Sequence, residues 1–235
     1  MSFKNNFVQP KATGLVSKCE QTTQSGMTEN INQNLNGTSD TQGDHRTMLM
    51  FALGGNSDFG GESPNLVVQR AISALRCSEI GGSWRSSCLY RTPAFPAGSG
   101  ADFANAVVIC EAPVVSAEMA LAISHGIEAE FGRMRAERWG ARTLDIDLIA
   151  AGPAGGQVAP DVGVAQKWRD LPMDAQLITT PQTLILPHPR VTDRSFVLVP
   201  LVEVAPDWID PLSGQSACAL LAARPAQERA SVVPW

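Results

Sequence analysis

A chain of 235 residues, 44% hydrophobic and 17% charged, has room for one packed domain of moderate size plus appendages. Its net charge of −5 argues against nucleic-acid binding, which depends on neutralising phosphates with basic surface. No apolar run reaches membrane-spanning length and the start lacks the basic-then-apolar layout of a secretory signal, so neither membrane nor export is expected. Five cysteines, Cys19, Cys77, Cys88, Cys110 and Cys218, form no C-x-x-C pair. They read as reduced thiols of a cytoplasmic protein, with Cys88 and Cys110 in the core.

Residues 1–46 are rich in Asn, Gln, Thr, Gly and Ser, as in "MTENINQNLNGTSDTQGDHRT", and have almost no apolar periodicity. They are expected to be a disordered, low-complexity extension, or to follow from an upstream start codon with the true start near Met27 or Met48. The folded domain is then 47–235. Met48–Leu53 reads as a strand ending in the turn signal Gly54-Gly55-Asn56. Ser63 caps a helix with Pro64 at its first position, and Leu66, Ile72 and Leu75 form its stripe to about Arg76. After Gly81-Gly82, Trp84–Tyr90 and Phe103–Ile109 are expected to be strands joined by a Pro/Gly loop. Ser116 caps a second helix carrying Ala120, Ile123, Ile127 and Phe131, closed by Gly132.

The last strand is the informative one. In "RWGARTLDIDLI", Leu144, Ile146 and Leu148 alternate with Thr143, Asp145 and Asp147, the period of a strand with one buried face. The order β-α-β-β-α-β predicts an α+β, ferredoxin-like antiparallel sheet with helices on one face and the other face free for a site. Beyond it, 150–182 has Gly, Pro and little pattern, and reads as a long insertion. A C-terminal extension follows, with a short helix around Phe196–Val202 and a weak one at Ser216–Ala223.

Asp145 and Asp147 stand about 6.6 Å apart on one strand face, where two charges repel by roughly 2.5 kcal/mol at an effective dielectric near 20. A cation, a solvated acidic face or salt bridges to arginines would each relieve that repulsion. Carboxylates suit Mg²⁺, which takes one or two from protein and the rest from phosphate and water. Four arginines, Arg133, Arg135, Arg138 and Arg142, precede them in one Gly-interrupted loop, and guanidinium forks match phosphate oxygens. Acids and arginines together are the parts of a phosphoryl-transfer site. No P-loop or dinucleotide motif supplies a phosphate cradle, so those residues must. Pro187-His188-Pro189 holds a histidine rigidly, His125 and Glu128 share one helical face, and Phe103 with Asn105 can stack and hydrogen-bond a flat heterocycle.

Taken in order, "ALGGN", "LYRTP", "DFANAVV", "IEAEFGRMRAERWGARTLDIDLI" and "LPHPRVTDRSFVLVPLVEVAP" resemble the 6-hydroxymethyl-7,8-dihydropterin pyrophosphokinases of folate biosynthesis, from about Met50 to Pro206. The resemblance implies transfer of pyrophosphate from ATP, as co-substrate, to the pterin hydroxymethyl group, with release of AMP. It implies that Asp145 and Asp147 hold two Mg²⁺ ions and that Arg133 and Arg142 are the catalytic arginines. Glu128, His125, Arg135, Trp139, His188 and Arg194 fall on ATP-binding positions; Gly54, Thr92, Pro93, Phe103, Asn105 and Phe196 fall on pterin-binding ones. A monomer is expected, with these two small molecules as its partners. Departures from the family pattern are Gly55 in place of serine, Ala94 in place of a second proline, His125 where glutamine is frequent, the long 150–182 segment and the N-terminal head. Another two-metal transferase on the same sheet, such as a nucleotidyltransferase, and a binding module without chemistry are the competing readings.

Overall fold

The computed structural model describes residues 46–94, 100–133, 142–172, 175 and 179–235. Expectations for the N-terminal head, and for Arg135, Arg138 and Trp139, fall outside these residues.

Strand β1 (Thr47–Gly55) lies inside the sheet, antiparallel to both β4 (Phe103–Ala112) and β5 (Asp145–Ala150). The order across the sheet is β5-β1-β4-β3-β6, with β3 at Tyr90–Thr92 and β6 at Val233–Pro234, while β2 (Ser83–Ser86) also pairs β4. This is the expected α+β arrangement, extended at one edge by a two-residue C-terminal strand. Alternation along β1 sends Leu49, Phe51 and Leu53 to one face and Met48, Met50, Ala52 and Gly54 to the other. On the first face the core closes under α1 (Pro64–Arg76) through Val68 and Leu75, and under α2 (Ala117–Glu130) through Ile127.

Four expectations are corrected. Trp84–Tyr90 is not one strand. At Ser87 the side-chain oxygen accepts from the Val107 N–H (3.0 Å) while the Ser87 N–H donates to the Val107 carbonyl (2.9 Å), so a hydroxyl takes a backbone acceptor's place and the ladder breaks. Cys88, in that break, is exposed; only Cys110 of the pair is core. Ser63 occupies the N-cap position, but its hydroxyl bonds Asn65 (2.6 Å) rather than a helix N–H; Ser116 does cap, accepting from Met119 N–H at 3.1 Å.

The fourth correction bears on function. The second sheet face is free along only half its length. Met50, Val107, Ile109 and Ile149 are covered by Leu198 and Leu201 of α4 (Ser195–Val204), Leu220 of α5 (Ala217–Ala222), and Trp208, making a second core. A five-residue α6 (Ala226–Ala230) follows. The 150–182 segment is also more regular than its composition suggested. Its Ala159 pairs Leu186 through two backbone bonds (3.0 and 3.1 Å), and it carries α3 (Val162–Asp170), capped by the Asp161 side chain at 2.9 Å. Arg169 of α3 forks onto the fully buried Asp210 at 2.6 and 3.0 Å.

Candidate active site

At the uncovered end of the second face the sheet register sets three positions in a row. Gly54 of β1 is opposite Asp145 on one side and opposite Asn105 on the other, and Ala52 is opposite Asp147. Neighbouring strands are about 4.8 Å apart, so Asp145 and Asn105 face the same way across a residue with no side chain. A Cβ at Gly54 would come within 3.2 Å of Asn105 Oδ1. Small residues on β1 therefore leave a shallow trough between an acid and an amide.

The acids are engaged by arginines from three directions. Asp145 accepts from Arg142 and Arg133, and Asp147 lies 3.4 Å from Arg194 Nη1. Burial, and then the Asp147 charge, push the Asp145 carboxyl above the usual range, against the pull of Arg142 and Arg133. Burial opposes ionisation of Asp147 too, but His188, Arg194, Arg133 and Arg142 outweigh it and hold that carboxyl low. Two like residues on one strand face are thus driven apart in acidity. His188 itself is pushed down to about 4, chiefly by burial, so its charge adds to that pull only at acid pH. Its Nδ1 accepts from the Arg190 N–H (3.1 Å), which leaves Nε2 as the protonated nitrogen of a neutral ring.

Glu128, expected at the nucleotide, is 2% exposed, and its Oε1 accepts from Arg133 and from the Ile146 N–H at 2.7 Å. It ties an arginine to the strand that bears the acids. His125 lies three residues earlier on α2 and is exposed at the rim. A cavity of about 1190 Å³ gathers His125, Glu128, Arg133 and Arg142 with Asp145, Asp147, His188 and Arg194. The other expected group, Thr92, Pro93, Phe103, Asn105 and Phe196, stands beside that cavity rather than in its wall. Asn105 is 4% exposed and donates to Thr92 Oγ1 at 2.8 Å, and Thr92 is the register partner of Phe103. Phe196 opens α4, half-exposed, with the Arg194 guanidinium 5.6 Å from its ring centre. Arg194 therefore touches both groups, Asp147 on one side and an aromatic ring on the other.

Three features escaped sequence reasoning. Asn56 accepts from the Arg142 N–H through Oδ1 (3.0 Å), donates its own N–H to the Arg142 carbonyl (2.9 Å), and reaches Ala101 O through Nδ2 (3.3 Å). "GGN" signalled a turn, but nothing local shows that its asparagine holds an arginine 86 residues away. Gly55 matters for close approach rather than for a turn: a Cβ there would meet the Thr143 carbonyl oxygen at 2.4 Å, so serine would push the Arg142–Thr143 backbone off. The cavity wall also includes Trp168 and 179–182, from the segment that read as patternless.

Among the described residues no three His, Cys, Asp or Glu side chains converge as a closed metal site. Two carboxylates facing an open cavity fit a hard cation shared with phosphate and water, and not an all-protein cage. Fold and site together describe a phosphoryl-transfer enzyme of the α+β class whose sequence has no P-loop or dinucleotide-binding motif.

Comparison with known proteins narrows the class. The model of the 7,8-dihydro-6-hydroxymethylpterin-pyrophosphokinase family matches residues 50–206. A 2-amino-4-hydroxy-6-hydroxymethyldihydropteridine pyrophosphokinase of Synechocystis is 35% identical over 177 residues, covering 73% of each chain. One of the same name from Mycobacterium leprae is 36% identical over 121 residues, 52% of this chain and 56% of that one. Wild-type Plasmodium falciparum HPPK-DHPS with STZ-DHP superposes with a TM-score of 0.52 at 12% identity, over 77% of this chain and 44% of that longer one, a likeness of fold alone. The chain belongs to the 7,8-dihydro-6-hydroxymethylpterin-pyrophosphokinase family. Its activity is ATP-dependent pyrophosphoryl transfer to hydroxymethyldihydropterin, in folate biosynthesis.

Proposed function

We propose that the transfer takes place over the uncovered half of the sheet, with ATP in the cavity and the pterin against Asn105, the two meeting above Gly54. The observation that carries this reading is the row Asp145–Gly54–Asn105, set by strand register, beside a cavity with arginines on both flanks. Asp145 and Asp147 would hold two Mg²⁺ ions jointly with the ATP phosphates; the metal would neutralise phosphate charge and align the attacked β-phosphorus. Arg133 and Arg142 exchange their carboxylate partners for phosphate oxygens as nucleotide enters, so charges already desolvated in the free protein are reused rather than newly buried. The Glu128 backbone carbonyl, accepting from the Arg133 N–H at 3.0 Å, and Asn56 keep the roots of those two arginines fixed. Arg194 and the neutral His188, donating through Nε2, take further oxygens. Arg135 and Trp139 belong to the ATP side of this reading. On the acceptor side, Phe103 and Phe196 enclose the flat ring, Asn105 reads its edge, and Thr92 orients the Asn105 amide, with Pro93 and Gly54 shaping the slot. The hydroxymethyl oxygen then attacks the β-phosphorus and gives up its proton to solvent, the bond between that phosphorus and the oxygen it shares with the α-phosphate breaks, and AMP leaves.

The same reading takes 47–235 as the catalytic domain, monomeric and cytoplasmic. Cys77, Cys88, Cys110 and Cys218 form no disulfide among the described residues, which favours that compartment. Purified protein given Mg²⁺, ATP and 6-hydroxymethyl-7,8-dihydropterin should form AMP and pterin diphosphate in equal amounts. Release of ADP, or of pyrophosphate with a nucleotidylated product, would contradict it.

A further inference from the structure

We infer that Trp168, carried on the insertion helix α3, is the wall against which the nucleotide base stacks. This rests on reading the cavity as the ATP site. The charged residues of that cavity cluster where Arg133, Arg142 and Arg194 approach the aspartates, so the triphosphate is drawn to that end. The wall has another, apolar part. Along α2, Leu121 is followed by His125 and then Glu128, so one helix face runs from apolar to acidic within two turns. Leu184 and Ile185 add to the apolar part. A flat heterocycle at the far end of a triphosphate belongs there, and a π-face is what holds bases without regard to their edges. Trp168 is the one Phe, Tyr or Trp among the described residues that line this cavity.

The helix that presents it is fixed at both ends. Asp161 caps the N-terminus, Ala165 is buried at 1% exposure, and the residue after Trp168 is clamped by two hydrogen bonds to Asp210. Asp210 accepts in addition from the Ser213 N–H and hydroxyl at 2.9 and 2.6 Å. A nine-residue helix with a single buried residue has little packing of its own, so this clamp serves to hold α3 against the cavity. The insertion is then part of the binding site, a wall placed in advance of the ligand.

Binding to the full-length protein tests this with two probes: ATP, and inorganic tripolyphosphate, which has the charge and no base. Trp168→Leu, which keeps an apolar side chain and loses the ring, should weaken ATP about tenfold, within the range of base–aromatic stacking. It should leave tripolyphosphate affinity unchanged. Trp168→Phe should recover most of the loss. Equal ATP affinity in Trp168→Leu and wild type would overturn the inference, as would a parallel loss for both probes, which marks a role in folding. A wild type that forms no AMP would instead defeat the functional reading, so the two failures are distinct.

Discussion

Asp147 and Ile149 are two residues apart on β5 and point to the same side of the sheet. Ile149 is 2% exposed beneath the C-terminal helices, whereas the Asp147 side chain keeps 34% of its surface and looks into a charged cavity. The same division runs across the neighbouring strands: Met50 and Gly54 on β1, Ile109 and Asn105 on β4. One pleated surface thus carries an apolar half, closed by α4, α5 and Trp208, and a polar half left open. The lesson is about division of labour. The closed half holds the strands in register, and register is what aligns Asp145, Gly54 and Asn105 on the open one.

Substitutions on the two halves should therefore fail in opposite ways. Asp147→Ala should lower AMP formation at least about a thousandfold, since it removes charge aimed at the reacting phosphates, with little change in melting temperature. Ile149→Ala should cost about 2–5 kcal/mol of stability by leaving a cavity, with turnover per folded molecule retained. Thermal melts and AMP assays on both variants check this, and a stable but inactive Ile149→Ala would erase the distinction between the halves. A smaller effect is expected at the seam. Asn56→Ala should reduce kcat about ten- to a hundredfold through misplacement of Arg142, with KM for ATP and the melting temperature near wild type. If KM rose instead and kcat held, Asn56 would be acting on ligand binding rather than on the position of the arginine.

What could be read in the sequence follows the range of the interactions involved. The β5 alternation, the α2 stripe and the crowding of acids and arginines are local and were legible; of the α1 stripe Ile72 and Leu75 are buried, but Leu66 is 45% exposed and the face turns through Val67, Val68 and Ala71 instead. Closure of half the second face was not, because the "SFVLVPLVEV" helix is apolar nearly all round and its sequence does not say which surface it covers. The break at Ser87 depends on a hydroxyl meeting Val107 on another strand. Helix α3 was missed because "VGVAQKWRD" buries one residue and is pinned by Asp210, 41 positions on. Of the site, the two acids, Arg133, Arg142, Arg194 and His188 were identifiable by type and spacing, and the structure brings them to one cavity. Asn56 and Gly55 act through the backbone of Arg142 and Thr143, and such contacts leave no local mark.

The most direct test is a crystal structure of the protein with Mg²⁺, a non-hydrolysable ATP analogue and 6-hydroxymethyl-7,8-dihydropterin. The arrangement argued for predicts phosphates and metal over Asp145 and Asp147, the Arg142–Asp145 and Arg194–Asp147 pairs opened, and the pterin edge on Asn105 across Gly54. Ligands bound elsewhere, with those two ion pairs intact, would contradict it.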